Sequence, residues 1–197
     1  MKNTVIRPAV LLLAATAALT ACESPLNLEG VKASESAAIR RDDMFQAAAS
    51  SDQALLVVGN HGLVLRSGDA GTTWRRQELP GWPSLIDIVA CPNGQFAALA
   101  TEGQVLVSAD DGQTWKANQI QTEESPQGIT CDPQNRLWVV GSFSAIIVSG
   151  DGGQNWEDHS IGDDTILTTI QFIDAEHAMI FGEYGFSVYT ADGGQTW

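Results

Sequence analysis

The 197-residue chain is 44% hydrophobic and 7% aromatic, ordinary globular values that exclude wholesale disorder and collagen-like structure. Its net charge of −14 opposes contact with phosphate backbones and anionic lipid headgroups, so nucleic-acid binding and a polybasic membrane patch are not expected. Three cysteines cannot build a disulfide scaffold, and three scattered histidines argue against a His-rich metal centre.

Residues 1–21 read as an export signal. Lys2 and Arg7 form a positive start, and Ala9 to Leu19 form an apolar stretch too short to span a bilayer comfortably. Leu19-Thr20-Ala21-Cys22 resembles the bacterial lipobox, which makes Cys22 the acylated first residue of an anchored protein. An ordinary secretory signal with an incidental cysteine is the alternative. Glu23 at the second mature position favours sorting to the outer membrane over retention at the inner one. The expected location is the bacterial cell envelope, lipid-anchored on the periplasmic side. Residues 22–42 are polar and rich in small residues, and read as a flexible tether.

The rest of the chain repeats with a period of 41 residues. Ser67-Gly68-Asp69-Ala70-Gly71-Thr72-Thr73-Trp74 returns as Ser108 to Trp115, as Ser149 to Trp156 and as Thr190 to Trp197. Four units follow, residues 43–83, 84–124, 125–165 and an incomplete 166–197. Apolar runs such as Leu55-Leu56-Val57-Val58, Phe96-Ala97-Ala98-Leu99, Leu137-Trp138-Val139-Val140 and Ala178-Met179-Ile180-Phe181 lack alternation, as strands buried on both faces do. A preceding strand, a Gly-containing turn, a third strand and a fourth beginning after the tryptophan complete each unit. Four antiparallel strands in about 40 residues is the arithmetic of a β-propeller blade, so the expected fold is all-β.

The S-x-D-x-G-x-T-W element resembles the Asp-box, or BNR repeat, of sialidase-like and related propellers. Asp69, Asp110, Asp151 and Asp192 are suited to accept hydrogen bonds from their own turns, and Gly71, Gly112, Gly153 and Gly194 to supply a positive φ. Trp74, Trp115, Trp156 and Trp197 are expected to fold back between neighbouring elements. A calcium loop is the rival reading of the acids, but the D-x-D-x-D-G spacing and the later bidentate glutamate are missing. The aspartates are therefore read as structural, with no metal and no cofactor.

Gly59-Asn60-His61-Gly62 leads through Leu63 to Ser67 into the first box, and Gly182-Glu183-Tyr184-Gly185 leads in the same way into the fourth. This longer form, G-x-x-G-x-x-x-x-S-x-D-x-G-x-T-W, resembles the photosystem II stability/assembly factor family of propellers. The resemblance covers residues 43–197. It implies a seven-bladed propeller, exported and often lipid-anchored, that binds a membrane-protein partner and assists its assembly without catalysis. The four units are then expected to be a fragment lacking about three blades. Two departures stand out. Arg66, Arg75, Arg76 and Arg136 give no arginine patch of the photosynthetic kind, and Ala100 and Ser144 replace expected glycines.

A sialidase-like exo-glycosidase is the alternative function. It requires paired carboxylates or a tyrosine nucleophile, and arginines converging on one sugar site. No such catalytic set is legible: Glu183 and Tyr184 are adjacent on one turn, and Arg66, Arg75 and Arg76 lie beside a box. A binding surface is better supported, because framework positions repeat while recognition positions should vary from blade to blade. The most divergent equivalent positions are His61, Glu102, Phe143 and Tyr184, with Asn60, Thr101, Ser142 and Glu183 beside them. Trp82, Glu123 and Asp164 form a second equivalent set in the joints between units, on the face opposite the boxes. The candidate partner-binding face is His61, Trp82, Glu102, Phe143, Glu183 and Tyr184, aromatic and acidic and so suited to a protein partner with a basic segment. The plainer alternatives tuck Trp82 against Pro80 and Pro83 and pack Phe143 on a neighbouring blade. His159 and His177 are expected at the surface. An oxidising envelope would permit Cys91 and Cys131 to bridge, but first strands of neighbouring blades are expected to lie too far apart; otherwise both are small packing residues.

Overall fold

A computed structural model describes residues 27–197. The export signal and Cys22 lie outside the described residues. The chain divides at Ala37/Ala38 into two units. Within the first, helix α1 (Glu29–Ser36) starts where the Asn27 side chain accepts the Glu29 N–H, and it buries none of its residues. The segment read as tether thus contains one exposed helix. Its last residues, from Ala38 on, belong to the second unit.

The second unit is a series of antiparallel sheets, each a simple up-and-down meander. Blade 1 comprises β1 (Phe45–Ser50), β2 (Leu55–Gly59), β3 (Leu63–Ser67) and β4 (Arg75–Glu78). Blade 2 comprises β5 (Leu85–Ala90), β6 (Phe96–Ala100), β7 (Gln104–Ser108) and β8 (Lys116–Gln119). Blade 3 comprises β9 (Pro126–Cys131), β10 (Leu137–Gly141), β11 (Ile146–Ser149) and β12 (Glu157–Asp158). Blade 4 has three strands, β13 (Leu167–Phe172), β14 (Ala178–Gly182) and β15 (Ser187–Thr190). Every first strand carries a bulge opposite the end of the second, for instance between Leu85 and Asp87. Such bulges add twist and turn the strand at one end of the blade. The first strands neighbour one another in order, β1 by β5, β5 by β9 and β9 by β13, as the inner strands of a propeller do.

Three apolar layers hold the blades together. Leu56, Val58 and Val64 of blade 1 pack on Ile88, Phe96, Ala98 and Leu106 of blade 2. Ala97, Leu99 and Val105 pack on Ile129, Leu137, Val139 and Ile147, and Trp138, Val140, Ile146 and Val148 pack on Ile170 and Ile180. One face of each blade therefore meets the opposite face of the next. β6 and β10 are buried on both sides, as their unbroken apolar runs predict. β14 is different: Met179 and Phe181 are exposed while Ala178 and Ile180 are buried. Its apolar run is of the same kind, but one face of blade 4 has no neighbouring blade among the described residues.

Two expectations are corrected. Cys91, just past β5, and Cys131, the last residue of β9, form a disulfide across 5.3 Å between Cα atoms. The pairing is possible because β5 and β9 are adjacent inner strands, and inner strands converge where outer ones splay. Asn93 N–H donates to Asn135 Oδ1 beside it, so the two turns are tied twice. His159 is the second correction. It is half-buried, bonded through Nδ1 to the Gly194 carbonyl and set edge-on to Trp138 at 5.7 Å. His177 is exposed and bonded to Asp174.

Candidate functional site

The two ends of the blades are built differently. At one end lie the boxes. Asp69 Oδ1 accepts the Thr73 N–H at 2.8 Å, and its Oδ2 accepts the Thr73 hydroxyl at 2.6 Å. Asp110 with Thr114, Asp151 with Asn155 and Asp192 with Thr196 repeat the arrangement. These bonds favour the charged carboxylate. The side-chain and backbone bonds from residue 73 hold Asp69 at a pKa of about 2, and the equivalent donors do the same for Asp110 and Asp151. Asp192 is lowered as well, first by Thr190 and Thr196.

Sequence reasoning missed the residue two before each aspartate. Ser67, Ser108, Ser149 and Thr190 are fully buried, and each hydroxyl donates to the aspartate and accepts the N–H of the box glycine. The glycines have φ between 80° and 87°, and the residue before each, Ala70, Asp111, Gly152 or Gly193, is left-handed too. Each box from the second onward lies over the preceding blade. A Cβ at Gly112 would come within 2.7 Å of Leu56, and one at Gly194 would enter the Trp138 ring. Trp115, Trp156 and Trp197 are half-buried against these same layers. Outer-strand side chains grip the next box: Gln77 Nε2 on the Gln113 carbonyl, Asn118 Nδ2 on that of Gly152, and His159 on that of Gly194. The signal was present, because these three polar residues recur at the 41-residue period. A further buried group is Asp132, which accepts from Trp138 Nε1 at 3.0 Å and pairs with Arg136, whose Nη2 reaches the Gly193 carbonyl.

At the other end lie the β2–β3-type turns and the joints between blades. Their backbones are pinned together. Gly62 N–H donates to the Pro83 carbonyl at 2.8 Å, Ser142 N–H to that of Ser125 and Glu183 N–H to that of Ile166. Ser142 Oγ also donates to Glu124 at 2.9 Å. Ser144, which stands where a glycine was expected, keeps the left-handed backbone at φ 49°. Its buried hydroxyl compensates by donating to the Asp163 carbonyl and accepting the Asp163 N–H.

On this pinned frame the side chains point outward. Tyr184 is fully exposed, Trp82 is 70% exposed and Phe143 59%, so neither of the plainer packing alternatives describes them. His61, Glu102, Glu123, Asp163, Asp164 and Glu183 are exposed as well. His61, Trp82, Phe143 and Tyr184 all hold φ between 51° and 58°. His61–Gly62, Phe143–Ser144 and Tyr184–Gly185 are the central pairs of two-residue hairpin turns, which need positive φ at both positions and fix the direction in which these side chains leave the backbone. Among the described residues none of these carboxylates is paired with a lysine or arginine. His61 and Trp82 share a cavity of about 350 Å³ with Asp43, Asn60, Arg76 and Glu78. Phe143 and Tyr184 do not line it; they stand on the turns of blades 3 and 4.

The arginines do not converge. Arg66 pairs across the ladder with Leu56, on the face toward blade 2, where its Nε reaches the Asp111 carbonyl. Arg76 pairs with Leu65, on the opposite face, and bonds Asp43 and Glu78. No group of three or more His, Cys, Asp or Glu is gathered for a metal among the described residues, and none of their helices is long and apolar enough to cross a membrane.

Residues 30–130 match the family described as photosynthesis system II assembly factor YCF48. The chain belongs to that family. Solved structures agree on the fold. A structure of YCF48 bound to D1 peptide is 20% identical with a TM-score of 0.62, over 80% of this chain and 54% of that one. YCF48 from Cyanidioschyzon merolae is 17% identical with a TM-score of 0.51, over 79% and 71%. The computationally designed Ika4 protein is 14% identical with a TM-score of 0.64, over 80% and 96%. The chain thus spans about half the length of the peptide-bound YCF48. The comparison with curated proteins returns no match.

Proposed function

We propose that this protein is a non-catalytic binding scaffold that docks and supports a membrane or envelope protein complex, held to the periplasmic side of a bacterial membrane, the outer one favoured, by lipid on Cys22. The observation that carries the docking reading is the set of exposed Trp82, His61, Phe143 and Tyr184, the last three on turns hydrogen-bonded to a joint and Trp82 within the joint that the turn of His61 bonds. Rigid aromatic side chains supply contact area at little entropic cost. Glu102, Glu123, Asp163, Asp164 and Glu183 around them favour a basic partner segment and make association slow as salt rises. A YCF48 structure holds a D1 peptide, and family membership lends that mode of action to this chain as an expectation. The disulfide between Cys91 and Cys131 suits an oxidising compartment such as the periplasm.

The test is co-purification of envelope partners with a Trp82→Ala/Tyr184→Ala variant that melts like the unsubstituted protein. Partner recovery should fall, and undiminished recovery sinks the proposed face. Loss only after replacing exposed box residues such as Gln113 and Gln154 moves the site to the opposite end. The anchor is tested separately: Cys22→Ala should shift the protein from the detergent phase to the aqueous phase.

A further inference from the structure

The blades share their framework at the 41-residue period, and the bridge between Cys91 and Cys131 stands outside it. One period earlier the equivalent residues are Ser50 and Ala90, and one period later they are Asp132 and Phe172. Blades 1 and 2, and blades 3 and 4, are joined by apolar layers of the same kind as blades 2 and 3, without the cysteines for a bridge. The junction that has the bridge also has a second tie beside it, the Asn93–Asn135 bond. Blade packing therefore does not require a disulfide here. Its surroundings are not those of a sealed bridge either. Cys91 is buried at 6% exposure, Cys131 is partly exposed, and both border a cavity of about 550 Å³ at the box end of the blades. Ser50, Asp52 and Gln53 reach this cavity from the turn between β1 and β2, Asn93 from the turn between β5 and β6, and Asp111 from the second box. Asp52 and Asp111 are its charged lining residues, and no Lys, Arg or His lines it. Exposed bridges are the labile ones, because exchange requires a thiolate to reach a sulfur.

We propose that Cys91–Cys131 is a thiol–disulfide exchange site of the folded protein, opened by a dithiol that is neutral or basic rather than acidic. A thiolate of the dithiol enters the cavity and attacks Cys131 Sγ, the more accessible sulfur. The S–S bond breaks and its electron pair leaves on Cys91 Sγ, which takes a proton from water. The second thiol of the reductant then loses its proton and displaces Cys131 from the mixed disulfide, and Cys131 is protonated in its turn. The reductant departs as a disulfide, having given two electrons, and the protein holds two thiols. Asp52 and Asp111 set the charge preference, since both repel an anionic thiol in the cavity. The opened junction keeps the Asn93–Asn135 bond and the layer of Leu99, Val105, Ile129 and Val139. The blades stay folded while the ends of their inner strands are released from one another.

The test follows reduction of the full chain in native buffer, by alkylation and peptide mass mapping. Dithiothreitol is the neutral probe, and glutathione carries one more negative charge. Dithiothreitol should open the bridge at a rate unchanged by urea below the unfolding transition, and the first glutathione adduct should map to Cys131. At roughly 8 Å through water, one unit charge is worth about a twofold change in rate. The ratio of the glutathione rate to the dithiothreitol rate should thus rise about twofold in Asp52→Asn and in Asp111→Asn, and should also rise with salt. Asparagine keeps the shape of each side chain and tolerates the left-handed backbone at residue 111. A reduction rate that climbs with urea as unfolding does overturns the proposal, because the bridge is then reached only in the unfolded chain. So does a first adduct on Cys91, or a rate ratio indifferent to salt and to both substitutions.

Discussion

Removing the bridge between Cys91 and Cys131 is a perturbation whose magnitude follows from topology. The two residues are 40 apart in sequence and join the inner strands of blades 2 and 3. Closing a loop of that length restricts the unfolded chain by about 13 cal/mol/K, or about 4 kcal/mol at 25 °C. The native state retains its other ties at that place, the Asn93–Asn135 bond and the layer of Leu99, Val105, Ile129 and Val139. The Cys91→Ala/Cys131→Ala variant should therefore fold but melt lower. For a domain of this size 1 kcal/mol corresponds to about 2–4 °C, so the expected loss is about 8–16 °C. Thermal unfolding followed by circular dichroism reads it, with a thiol reductant as the second arm. Reductant should lower the melting temperature of the unsubstituted protein to near that of the variant and leave the variant unmoved. Two free thiols in the native protein by mass spectrometry, or a shift below about 3 °C in both arms, would refute the reasoning.

Gly194→Ala places a methyl group against the Trp138 ring on a backbone at φ 87°, and combined overpacking and left-handed strain should cost about 2–4 kcal/mol in chemical denaturation. Gly150→Ala, which meets open space at ordinary φ, is the control that should change little. Ser108→Ala removes the buried acceptor of the Gly112 N–H and should cost about 1–2 kcal/mol by the same measurement. Acid should act through the boxes. Asp69, Asp110 and Asp151 sit at about 2 when folded against 3.8 unperturbed, so their contribution is complete above about pH 4 and is lost as pH falls toward 2. Melting temperature against pH should decline over that window, and a profile flat down to pH 2 would contradict it.

The all-β blade architecture was legible because period, turn chemistry and apolar runs are local properties that recur every 41 residues. The box aspartates and glycines follow the same logic, since each bond runs within four residues of the turn. The divergent turn positions, His61, Glu102, Phe143 and Tyr184, were also readable by aligning the units against one another. The left-handed backbones of His61, Phe143 and Tyr184 come from two-residue hairpin turns, closed for instance by the Ala145 N–H on the Ser142 carbonyl and the Phe186 N–H on the Glu183 carbonyl. Such turns need positive φ at both central residues whatever side chain stands there.

What only the tertiary structure decided concerns relations between blades. A 41-residue period states that units are alike but not how close their inner strands approach, so the bridge at Cys91 and Cys131, offset by one repeat position, ran against the simplest expectation. His159 looks like a lone surface histidine until the next box brings the Gly194 carbonyl to 3.0 Å. Met179 and Phe181 have the same local pattern as buried Trp138 and Val140, and are exposed where no blade among the described residues packs against them. Local pattern specifies a strand and its two faces; which face is covered depends on the neighbour that packs there, and that is information distant in sequence.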